Sequence, residues 1–166
     1  NLIDGLDGLA AGIVAIGAGA FFLYSQKLSE LDLLREPNIG PLMAIIAVGL
    51  CVGFLPHNFN PARIFMGDSG ALALGLLMAV STSVVGGRAD TDQRYVGKTY
   101  FFLAPLVLPL FILGIPVLDL TFAIIRRATK RRALDVADKG HLHHRLMDLG
   151  HGQRRSVMIL WAWTAL

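Results

Sequence analysis

Charge is scarce in this chain. Only 16% of its 166 residues are Asp, Glu, Lys or Arg, against 54% hydrophobic, and the mean hydropathy is +0.59. That balance excludes an ordinary soluble domain. Cysteine is almost missing: Cys51 is alone and lies within an apolar run, which excludes an internal disulfide and a Cys-rich metal site. There is no initiator Met and no signal-peptide architecture. A polar motif begins at Asn1 and the chain stops at Leu166 inside a new apolar run, so the sequence reads as a piece of a longer protein cut at both ends.

The few charges cluster between long uncharged runs, the pattern of a polytopic membrane protein. The runs predict spans over 9–24, 39–56, 69–86 and 100–125, with a fifth starting at Ser156. The fold class expected is all-α, a membrane helical bundle forming one domain over 1–166. Small residues recur every fourth position at Ala11/Ala15/Gly19, Gly49/Gly53 and Ala71/Gly75/Ala79, and such stripes suit close helix contact. Pro105, Pro109 and Pro116 are expected to bend the fourth span, as membrane helices tolerate.

Parity orders the polar segments. Two spans separate residues 1–8 from 57–68, and two more separate 57–68 from 126–155, so all three share one membrane face. The loop 126–155 carries nine Lys/Arg against three Asp, while the loops 25–38 and 87–98 together carry five Lys/Arg against five Asp/Glu. The positive-inside rule makes the three-segment face cytoplasmic.

The chemistry-bearing residues collect on that face. The first segment offers Asn1, Asp4 and Asp7 at i, i+3, i+6, which a helical conformation points roughly the same way; one acid can cap the first span, but two acids and an amide exceed that need. The second offers Asn58, Asn60, Arg63, Phe65 and Asp68. Asp68 opens the third span, where it either caps the helix or holds a hard cation against a phosphate. Phe65 is either an interfacial aromatic or a platform for a flat ring. The third offers His141, His143, His144 and Arg145. With no Cys partners and few acids nearby, zinc fits poorly. Anion binding remains, either to lipid headgroups, as suits Arg126, Arg127, Lys130, Arg131 and Arg132, or to a substrate diphosphate. Acids for a metal, amides and an aromatic for a base, and a cationic loop for phosphates suit phosphoryl transfer from a nucleotide-linked donor.

Three stretches, Asn1-Leu-Ile-Asp4-Gly-Leu-Asp7-Gly-Leu-Ala, Phe65-Met-Gly-Asp68-Ser-Gly and His141-Leu-His143-His144-Arg145, resemble in order and topology three cytoplasmic motifs of the polyprenyl-phosphate N-acetylhexosamine-1-phosphate transferases. The resemblance implies transfer of a sugar-1-phosphate from a UDP-sugar to a polyprenyl phosphate in the cell membrane, with release of UMP and a need for Mg²⁺, Mn²⁺ being the alternative. It implies Asp68 as the catalytic, metal-holding aspartate, with Asn1 also facing the metal. It implies Asp4 and Asp7 as nucleoside-side acids, Asn58 and Phe65 at the uracil pocket, and His141, His143, His144 and Arg145 at the diphosphate. The His-x-His-His-Arg form is similar to the branch using UDP-GlcNAc, the muramoyl-pentapeptide donor being the alternative. The family's adjacent aspartate pair, thought to act on the acceptor phosphate, has no counterpart here. The chain is therefore expected to need an upstream half for activity. A homodimer is compatible with this reading, and no nucleic-acid partner is expected.

Two rival functions use less of the sequence. A membrane scaffold binding anionic lipid needs only the basic loop and leaves the acids of residues 1–8 without a task. A transporter wants polar groups near mid-bilayer, whereas these collect at one face. Asp119, within the fourth span, is either functional or paired with a nearby base, and is not counted as a site residue.

Overall fold

The first apolar run becomes α1, Leu9–Glu30, and two more follow as α2, Gly40–Asn58, and α3, Gly67–Gly87. A shorter helix, α4, spans Gln153–Ala165. The computed structural model describes residues 6–34, 37–87, 150 and 152–166, with Val107, Gly114, Leu118, Thr121, Ile124 and Ile125, each helical, from the fourth span. Among the described residues there is no sheet, and α1, α2 and α3 are each long and apolar enough to cross a membrane. The protein is a helical membrane bundle. The bends expected at Pro105, Pro109 and Pro116 lie outside the described residues.

Half of the apolar window of α1 is buried, against 22% in α2 and in α3, so α1 is the central element. It packs against α2, α3 and α4. Leu23, Leu42, Leu50, Leu72 and Leu76 point outward, as suits helices whose solvent is lipid.

Within lipid, helices associate through close packing rather than through expulsion of water. The Ala11/Ala15/Gly19 stripe is used as expected: Ala11 is fully buried with Cys51 and Leu74, Ala15 packs on the same cluster, and Gly19 faces Val48. The other two stripes face no described helix. Among the described residues, Gly49, Gly53 and Gly75 have nothing within 4 Å of where a Cβ would stand. Instead α2 buries Ala44, Ala47 and Cys51, and α3 buries Leu74, Ser81, Thr82 and Val85. Spacing alone specifies a stripe but not which stripe a partner occupies.

One close approach escaped the spacing argument. A Cβ on Gly12 would stand 2.0 Å from Cε2 of Trp161, so only glycine lets the indole of α4 lie on α1. Around it Leu6, Leu9, Ile13, Val157 and Leu160 form a cluster. Phe59 joins Trp161 in a tilted ring pair at 5.8 Å between centroids, a geometry that aromatic quadrupoles favour.

Several boundaries also move. α1 continues to Glu30, past the predicted end at residue 24, because Ser25 satisfies its hydroxyl on Phe22 O and Leu28 joins Phe21, Leu34, Ala44 and Val85 in a second cluster. α4 begins at Gln153, three residues before the predicted Ser156, with Ser156 N–H closing on Gly152 O.

Candidate active site

α1, α3 and α4 begin at one end of the bundle, and α2 ends there. This arrangement brings together the described parts of the three segments that parity assigned to one face. Residues 6–8, the loop 59–66 and residues 152–154 meet at the mouth of α1.

The loop is first folded on itself. Pro56 sits in the last turn of α2, and Phe59 N–H closes that end on Leu55 O. His57 O then accepts from both Arg63 N–H, at 2.8 Å, and Ile64 N–H, at 3.2 Å. The Asn60–Pro61 peptide is cis.

Asn58 ties this loop to α1. It is only 2% exposed. Its Oδ1 accepts from Gly8 N–H at 3.0 Å, and its Nδ2 donates to Ile64 O at 2.9 Å. A buried amide left without partners costs several kcal/mol, on the order of 2–7 on transfer scales, so this double engagement is what allows Asn58 to be buried. Gly8 has φ +79°, a left-handed conformation that L side chains rarely adopt, and a Cβ there would meet Phe59 Cδ2 at 3.1 Å.

Asp7 makes the second tie. Its Oδ2 accepts from Asn60 Nδ2 at 3.0 Å and from Ala62 N–H at 3.2 Å. Asn60 Nδ2 also donates to Gln153 Oε1 at 2.8 Å, and Arg154 Nε donates to Asn60 O at 2.7 Å. Residues 53, 93 and 94 positions apart are thus joined in one hydrogen-bonded unit. Asn60 was visible in the sequence as part of the polar loop, but Gln153 and Arg154 were not singled out. Their only signal was a polar triplet placed by parity at the start of a helix on the same face.

Asp68 stands in the first turn of α3, and Gly67 before it has φ +63°. The Asp68 carboxylate is exposed and accepts no hydrogen bond among the described residues. No capping bond from it is seen among the described residues. Phe65 is 73% exposed beside it in the chain. Asn1, Asp4, His141, His143, His144, Arg145 and Asp119 lie outside the described residues.

Among the described residues no three His, Cys, Asp or Glu side chains gather as a complete metal set. Asp68 offers one carboxylate. That fits Mg²⁺ in its commonest mode, in which one or two carboxylates share the ion with substrate phosphates and waters.

The family model for glycosyl transferase family 4 matches residues 1–86. The chain belongs to glycosyl transferase family 4. Among family relatives, the decaprenyl-phosphate N-acetylglucosaminephosphotransferase of Mycobacterium tuberculosis (strain ATCC 25618 / H37Rv) is 39% identical, over all of this chain and 41% of its own length. The probable undecaprenyl-phosphate N-acetylglucosaminyl 1-phosphate transferase of Bacillus subtilis (strain 168) is 38% identical, over 97% of this chain and 40% of its own length. A phospho-N-acetylmuramoyl-pentapeptide-transferase of Staphylococcus epidermidis (strain ATCC 12228 / FDA PCI 1200) is 32% identical, over 97% of this chain and 43% of its own length. The chain thus spans about two-fifths of the length of the curated relatives it matches. The two GlcNAc-phosphate transferases lie nearer to it than the muramoyl-pentapeptide transferase.

Proposed function

We propose that this chain forms the donor-binding part of an enzyme that transfers GlcNAc-1-phosphate from UDP-GlcNAc to a membrane polyprenyl phosphate, giving polyprenyl-diphosphate-GlcNAc and UMP. The observation that carries the reading is the meeting of the Asp7 segment, the Asn58–Asp68 loop and the start of α4 at one end of the bundle. UDP-GlcNAc is favoured over a muramoyl-pentapeptide donor because the GlcNAc-phosphate transferases are 37–39% identical to the chain and the muramoyl-pentapeptide transferases 32–35%. The enzyme works at the cytoplasmic face of the cell membrane, the side to which the basic loop 126–155 belongs.

In this assignment Asp4 and Asp7 face the nucleoside. Phe65 stacks on the base, and Asn58 shapes that pocket through the loop it holds down. His141, His143, His144 and Arg145 donate to the diphosphate. Asp68, with Asn1, holds Mg²⁺, which when bound neutralises charge on the diphosphate. The residues otherwise position the two phosphates, since phosphoryl transfer asks for positioning and charge neutralisation more than covalent help. The chain acts within a polypeptide of the relatives' length, whose other part supplies the groups that engage the acceptor phosphate.

The test is UMP release from UDP-GlcNAc by membranes containing the full-length protein, with and without added polyprenyl phosphate. UMP is expected only when both substrates are present, and residues 1–166 alone are expected to release none. Release from the isolated chain, or release with UDP-MurNAc-pentapeptide but not with UDP-GlcNAc, would overturn the assignment.

A further inference from the structure

Asp7, Asn60 and Gln153 form a chain of hydrogen bonds whose direction is fixed from one end. An ionised carboxylate only accepts, so the Asn60 amide must turn its Nδ2 toward Asp7. Nδ2 carries two hydrogens. One goes to Asp7 Oδ2 and the other, at 2.8 Å, reaches Gln153, which must then present its oxygen. Arg154 Nε fixes the backbone of Asn60 from the same turn of α4. Both hydrogen bonds to the Asp7 carboxylate, from Asn60 Nδ2 and Ala62 N–H, fall on Oδ2, and Oδ1 receives none among the described residues.

We infer that Asn60 and Gln153 are positioning residues for the UDP-sugar donor. They hold Asp7 in one orientation with Oδ1 left for the nucleoside, and they tie that orientation to the first turn of α4, where the basic segment 126–155 ends. The inference rests on the assignment of Asp7 to the donor under the proposed function. A clasp that only stabilised the fold would need none of this polarity, because any complementary pair would serve. It would also leave the affinity for the donor no more sensitive than that for the acceptor.

The polarity gives the experiment. In the full-length protein in membranes, the Kd for UDP-GlcNAc, the KM values for donor and for polyprenyl phosphate, kcat and thermal stability are measured for four variants. Gln153→Ala removes the second acceptor of the Asn60 amide, and with it the tie from Asn60 to α4, and is expected to raise donor Kd and KM about three- to tenfold, the effect of one neutral hydrogen bond. Its acceptor KM and kcat should stay within about twofold, a smaller change than one such bond produces. Gln153→Glu keeps an accepting oxygen and is expected to restore the donor Kd to near the wild-type value. Asn60→Asp sets a second carboxylate against Asp7 and is expected to weaken donor binding most. The exchange Asp7→Asn with Asn60→Asp rebuilds a complementary pair, so it should recover stability, but it removes the acid from the donor side and should leave donor Kd raised.

A Gln153→Ala variant that is less stable yet keeps the wild-type donor Kd would overturn the inference, as would full recovery of donor Kd in the exchange. Failure of the proposed reaction reads out separately. Wild-type protein that binds UDP-GlcNAc but releases no UMP would contradict the transfer and leave the Kd ratios to decide the positioning role. Wild-type protein that binds no UDP-GlcNAc would overturn both.

Discussion

Among the described residues and contacts, the two ends of the bundle are closed by different means. At the mouth of α1, segments far apart in sequence are joined through side-chain hydrogen bonds: Asn58 to Gly8, Asn60 to Asp7 and to Gln153, Arg154 to Asn60. At the opposite end, Phe21, Leu28, Leu34, Ala44 and Val85 form an apolar cluster, and Gly40 lets α2 approach α3. The Lys27–Glu30 pair at that end is local, three residues apart, and its side chains are 68% and 63% exposed. An apolar cluster fixes spacing but is indifferent to which way a polar group points. A hydrogen-bonded unit fixes direction as well, and direction is what a site for a charged donor needs. Under the proposed function the first end serves the chemistry and the second supports it.

The largest effect expected from this division is at Asp68. Asp68→Asn in the full-length protein should reduce transfer to below about 1% while the protein still inserts, in line with the hundredfold or greater loss on removing a charge-stabilising group from a reacting centre. UMP release by the purified variant checks it. Near-normal activity would take Asp68 out of the metal site.

Next come the loop residues. His141→Ala, His143→Ala and Arg145→Ala should each lower kcat/KM for UDP-GlcNAc about ten- to a hundredfold, as a charge-assisted hydrogen bond is worth roughly 1.5–3 kcal/mol. Arg131→Ala and Arg132→Ala should do much less if, as the sequence suggests, those residues serve lipid headgroups and not the donor. Steady-state kinetics on the five variants separates the groups, and a larger loss at Arg131 and Arg132 would reverse the assignment.

At the supporting end the order of readouts inverts. A Cβ on Gly40 would stand 2.3 Å from Val85 Cγ2 and 3.1 Å from Ser81 O. Gly40→Leu should cost about 1–3 kcal/mol of stability, the range for overpacking, and lower the thermal midpoint in detergent. The donor KM of the surviving enzyme should not change. The smallest effect belongs to Lys27→Ala, which breaks an exposed pair worth at most about 1 kcal/mol and should leave both the midpoint and the kinetics unchanged within error.

The difference between the ends also explains what the sequence disclosed. The apolar runs gave α1, α2 and α3, because a span must satisfy its backbone internally and so reads as an unbroken stretch. Helix ends were less legible. Ser25 and Leu28 carry α1 past its apolar run because tertiary packing accepts them, not because their hydropathy announces it. Of three small-residue stripes only Ala11/Ala15/Gly19 faces a described helix, while Ala44, Ala47 and Cys51 do that work on α2 without a glycine motif. Residues 6–8, 59–66 and 152–154, from the three segments that parity groups together, meet at one end. Parity could not name Gln153 as the partner of Asn60, since a contact across 93 residues leaves no periodic trace. Asp68 was legible as a helix-start acid, but its exposure required coordinates.

The central claim is that the hydrogen-bonded end, and not the apolar end, receives the nucleotide donor. It is tested most directly by equilibrium binding of UDP-GlcNAc to the full-length protein bearing either Asp7→Ala or Val85→Ala. Both changes remove a group that packs between segments. Asp7→Ala is expected to weaken donor binding at least about tenfold, the lower range for a hydrogen bond to a charged group, while Val85→Ala lowers stability and leaves donor binding as in the wild type. Equal donor affinity in the two variants, or a greater loss in Val85→Ala, would contradict the claim.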